Sequence, residues 1–87
     1  MARYISMHTL ACLTRQGAEE LTRRLSATSG GIRTRHVLVS LHEGKMLVEF
    51  DAPDREALEK WLAAEKFHCD WLIRAELESA GEGLVPI

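Results

Sequence analysis

The sequence predicts an α+β domain: a four-stranded antiparallel sheet in the spatial order 4-1-3-2, with two helices on one face. Three observations predict it. Four runs alternate in the period-two manner of strands, and two runs repeat apolar residues at helical spacing. Their order along the chain is β-α-β-β-α-β.

Strand one runs from Tyr4 to Leu10, with Tyr4, Ser6, His8 and Leu10 on one side and Ile5, Met7 and Thr9 on the other. Thr14 can cap a helix in which Ala18, Leu21 and Leu25 recur at helical spacing, and Gly30-Gly31 stops it. Strand two, Arg33 to His42, alternates Val37, Val39 and Leu41 against His36, Leu38, Ser40 and His42. Glu43-Gly44 reads as a two-residue hairpin turn, the glycine supplying positive φ. Strand three, Lys45 to Asp51, points Met46, Val48 and Phe50 to one face. Ala52-Pro53-Asp54 opens the second helix, with proline in the first turn where its missing N–H costs nothing. Ala57, Leu58, Trp61 and Leu62 form its apolar stripe, while Glu56 and Lys60 pair on the outside. Strand four, Trp71 to Glu78, is expected to bury Trp71, Ile73, Ala75 and Leu77. This order has one dominant solution, the ferredoxin-like split βαβ fold. The domain occupies residues 1–80, and residues 81–87 form a loosely held tail.

Composition bounds the function. Eighty-seven residues make one domain, and 46% hydrophobic residues suffice for a core with little surplus for a buried ligand pocket. A net charge of −2 argues against nucleic acid, and Arg23, Arg24, Arg33 and Arg35 read as a solvated basic run. No apolar run approaches the ~20 residues of a membrane span. The N-terminal residues carry no secretory core with a cleavage site, so a cytoplasmic protein with Cys12 and Cys69 as free thiols is expected.

Both faces of the strands carry leucine, which a sheet with one wet face would not. The face away from the helices is expected to carry Tyr4, Ser6, His8, Leu10, His36, Leu38, Ser40, His42, Leu47, Glu49, Leu72, Arg74 and Glu76. Covering each of Leu10, Leu38, Leu47 and Leu72 contributes about 1.5–3 kcal/mol. The expected cover is a second copy, giving a homodimer of the dimeric α+β barrel type.

The predicted topology sets the end of strand one beside the start of strand four. His8 and Cys12 then lie near His68 and Cys69, on strands about 4.8 Å apart, with His42 roughly 10 Å away at the same end. Imidazole and thiolate suit nickel, zinc or copper, so His8, His68 and Cys69, with Cys12 and His42, are candidate metal ligands. The competing reading makes them loop histidines and small buried thiols. A catalytic alternative groups His8, Glu49 and Arg74 around an inter-sheet cavity, as a cofactor-free oxygenase or isomerase would. The competing reading of those three is an ion-pair network across a dimer interface. A third reading is a non-catalytic interaction module.

The run Leu47-Val48-Glu49-Phe50-Asp51-Ala52-Pro53-Asp54-Arg55-Glu56-Ala57-Leu58-Glu59 resembles the strand-into-helix signature of a family of small bacterial domains of unknown function. That family includes nickel-binding proteins with a ferredoxin-like fold and lies near the dimeric α+β barrels. The resemblance implies a small dimer and makes a transition metal, nickel above all, the expected cofactor. It departs at Val48, where the family pattern often has a cysteine, and it carries no ligand set onto this chain.

Overall fold

The computed structural model describes residues 1–27 and 30–87. The chain folds as β1 (Ala2–Thr9), α1 (Arg15–Ser26), β2 (Arg33–Ser40), β3 (Lys45–Ala52), α2 (Arg55–Ala64), β4 (Trp71–Ala75), β5 (Leu77–Ala80) and β6 (Gly83–Pro86). The first four strands make one antiparallel sheet in the order β2-β3-β1-β4, the expected arrangement read from the other edge. Strands β5 and β6 form a separate two-stranded hairpin. Among the described residues no helix is long and apolar enough to cross a membrane.

Both helices start on side-chain caps. The Thr14 hydroxyl accepts from the Gly17 N–H at 3.0 Å, and the Asp54 carboxylate accepts from the Ala57 N–H at 2.7 Å. Pro53 therefore precedes the cap of α2 rather than lying in its first turn. The expected Glu56–Lys60 pair closes at 3.1 Å on the exposed side. Helix α1 ends at Ser26, before the two glycines, and Thr28 and Ser29 lie outside the described residues.

The core lies between the helices and one face of the sheet. Met46, Val48, Phe50 and Ala52 are fully buried along β3, against Leu25 of α1 and Leu58 and Leu62 of α2. Ile32, Phe67 and Leu72 belong to the same buried cluster. Phe50 also meets the Trp61 ring edge-on, with centroids 5.7 Å apart.

Three expectations are corrected. The β2–β3 connection spans residues 41–44, not two residues, because Ser40 rather than His42 pairs with Lys45. Leu38 then opposes Leu47 and His36 opposes Glu49, a shift of two residues that leaves residues 36–40 on their expected faces. A bulge between Thr34 and His36 sets Thr34 opposite Phe50, and Leu41 and His42 fall in the turn. Strands β1 and β4, by contrast, present the opposite faces from those expected. Tyr4, Ser6, His8 and Leu72 are buried under the helices, while Trp71 and Ile73 stay exposed. Ser6 and His8 satisfy each other's polar groups, so the helix face can take them. Finally, β4 stops at Ala75, and residues 77–86 turn back as the hairpin, where a strand running to Glu78 and a loose tail are expected.

Candidate functional site

Pleating puts directly opposed residues on one face, so the register can be read as rows across the open side of the sheet. Leu38, Leu47, Met7 and Trp71 form one row through all four strands. His36, Glu49, Ile5 and Ile73 form the next. Leu38 is 53% exposed, Ile73 50% and Trp71 42%. Polar rows flank this strip. At one end the Lys45 ammonium donates to the Thr9 hydroxyl at 3.0 Å, and that hydroxyl donates to the Asp70 carboxylate. At the other end Arg35 pairs with Asp51 at 2.9 Å, and Arg3 bridges Glu49 at 3.2 Å and Glu78. The Arg35 guanidinium is held above its ordinary pKa, first by the Asp51 hydrogen bond and then by the Asp51 charge. Leu10 lies beyond the strand, half-buried against the core, so the expected quartet of Leu10, Leu38, Leu47 and Leu72 keeps only its middle pair.

His8 is sealed on the opposite side. Its Nδ1–H donates to the His68 carbonyl at 2.8 Å, and its Nε2 accepts from the Ser6 hydroxyl at 2.6 Å. A carbonyl can only accept, and that fixes the neutral tautomer. The ring stacks on Phe67 with centroids 3.8 Å apart. Burial is the main reason its pKa lies below the usual histidine value, outweighing the His68 carbonyl and the Asp70 charge, which act the other way. With both ring nitrogens engaged, His8 has no lone pair free for a metal ion.

A second surface feature is the cleft of about 400 Å³ between α2 and the approach to β4, lined by Arg55, Glu59, Phe67, His68, Cys69 and Asp70 among others. His68 is exposed and Cys69 half-buried. Burial pushes the Cys69 thiol pKa up, a backbone hydrogen bond second only to burial opposes it, and the charges of Glu59 and Asp70 add smaller upward pushes. This thiol is held in its protonated form at neutral pH, which disfavours attack by the thiolate.

The topology does join the end of β1 to the start of β4, since the Asp70 N–H donates to the Met7 carbonyl at 2.7 Å. It does not gather the candidate ligands. His8 faces inward, His68 and Cys69 lie in the α2–β4 cleft, Cys12 is exposed in the β1–α1 connection, and His42 is exposed in the 41–44 turn. Among the described residues no three or more His, Cys, Asp or Glu side chains converge to hold a metal ion. The catalytic trio also comes apart: His8 points under the helices, Glu49 lies on the open face, and Arg74 pairs across from Tyr4 rather than His8.

No family model and no curated protein matches the chain. Among solved structures, it is similar to SCO4226 from Streptomyces coelicolor A3(2), with a TM-score of 0.80 at 12% identity. The likeness covers 90% of this chain and 100% of that one. At that identity it shows the α+β fold and nothing finer.

Proposed function

We propose that the protein is a non-catalytic, self-associating module, working as a homodimer whose two open sheet faces meet. The carrying observation is the unbroken apolar row Leu38–Leu47–Met7–Trp71 with Ile5 and Ile73 beside it, bounded at both ends by polar rows. An apolar centre inside a polar rim is the anatomy of a protein–protein interface. A homodimer satisfies it with one surface, used twice about a two-fold axis.

The magnitudes make the sheet faces a contributor to association but not a sufficient one by themselves. Leu38, Trp71 and Ile73 keep roughly half of their surface in water. Covering the remainder contributes about 1 kcal/mol each, or about 6 kcal/mol for two copies. Association costs about 4–15 kcal/mol, so the sheets by themselves sit near the threshold.

Light scattering tests the reading. Wild-type protein should show twice the 9.8 kDa chain mass, and Leu38→Glu, which sets two carboxylates into the apolar row of the pair, should return it to 9.8 kDa with its circular dichroism unchanged. A wild-type mass of 9.8 kDa at high concentration overturns it.

A further inference from the structure

The β5–β6 hairpin has no core of its own. Two-stranded hairpins are marginally stable in water unless another layer covers them. On one of its faces the register sets Leu77 beside Pro86 and Ser79 beside Leu84. Leu77 is 54% exposed and Leu84 66%. The hairpin is nonetheless held in one place. Glu78 pairs with Arg3, whose side chain lies on the open sheet face, and the Ile87 N–H donates to the Glu76 carbonyl at 3.0 Å, closing the hairpin's own ladder at its base.

The size of the molecule says the same. Its radius of gyration is 13.4 Å, against about 12 Å for a compact chain of this length. Its accessible surface is 5821 Å², against about 5160 Å² for a compact monomer of its mass. The excess of about 650 Å² falls within the roughly 600–1,000 Å² that one partner of a specific pair buries.

We propose that the C-terminal hairpin is an arm that packs its Leu77–Leu84 face onto a second copy of this chain. The inference rests on the sheet-to-sheet dimer and supplies the contact area that the sheet faces lack. Charge favours a second copy as the occupant. Beyond the Glu78–Arg3 pair the β4 side of the molecule ends in Glu76 and Glu82, while the opposite edge strand carries Arg33 beside the Arg35–Asp51 pair. A two-fold axis along the strands sets each acidic arm over the basic edge of the other copy.

The test is the self-association constant of full-length Leu77→Asp/Leu84→Asp protein, measured by sedimentation equilibrium beside the wild type. Both side chains are exposed, so the monomer fold should survive, as circular dichroism would verify. Association at least tenfold weaker, with a dimer still reached at high concentration, supports the arm. A wild-type dimer that the substitutions weaken less than tenfold overturns the arm and leaves the sheet interface standing, whereas a monomeric wild type overturns both. If the substituted chain does not fold, isotope-filtered NMR on mixed labelled and unlabelled wild type decides. Contacts from the Leu84 methyls to the other copy support the arm, and their absence refutes it.

Discussion

At the scale of single residues, the chemistry turns on the Ser6–His8–His68 chain of hydrogen bonds. Ser6→Ala leaves the buried Nε2 of His8 without a donor, so urea denaturation should show a loss of about 1–3 kcal/mol. The same burial predicts a pH dependence. His8 resists protonation in the folded chain, while the unfolded chain takes the proton near pH 6.5. Its contribution is therefore fully present above about pH 6.5 and is lost as pH falls from there towards the lower folded value. Denaturation midpoints should drop on acidification, and His8→Gln should flatten that slope even if it lowers the plateau. An equal slope in both proteins would refute the role given to His8. The thiols should also separate. Cys12 is exposed, and Cys69 is half-buried with its thiolate disfavoured, so a thiol reagent should modify Cys12 first. The position of His8 beside His68 is legible from topology alone. Its orientation is not, because only the closure of a local hydrogen-bonded pair makes a buried serine and histidine acceptable.

At the scale of elements, helices and central strands follow from local rules. Thr14 and Asp54 cap as their side chains dictate, and the buried alternation of β3 matches its sequence. Hairpin length and strand parity are set by longer-range contacts. In the 41–44 turn the Gly44 carbonyl accepts from the Leu10 N–H at 2.8 Å, tying the turn to the end of β1. That contact selects four loop residues where Glu43-Gly44 alone suggests two. Gly44 holds φ +66, and a Cβ there would stand 2.8 Å from the Leu10 carbonyl oxygen. Gly44→Ala should consequently destabilise the fold by more than the ~1 kcal/mol of an ordinary left-handed glycine, read as a lowered melting temperature. Leu58→Ala, which empties a fully buried site between α2 and β3, should cost about 2–5 kcal/mol. Parity on β1 and β4 is ambiguous in sequence because both of their faces carry apolar residues. Tyr4 and Leu72 compete with Ile5, Met7, Trp71 and Ile73 for the core, and only the pairing to β3 decides between the two sets.

At the scale of the whole molecule, one apolar sheet face remains uncovered however β1 and β4 are turned. The expectation of a second copy rests on that face rather than on which residues line it, whereas the catalytic trio, and the place of His8 among the candidate ligands, depend on how β1 and β4 are turned. Trp71 reports on this face directly. In a Trp61→Phe background, which keeps a ring against Phe50, its quenching by iodide can be followed as the protein is diluted. Shielding at high concentration that gives way to free quenching on dilution is the predicted result. A Trp71 equally open to iodide at every concentration would contradict the account.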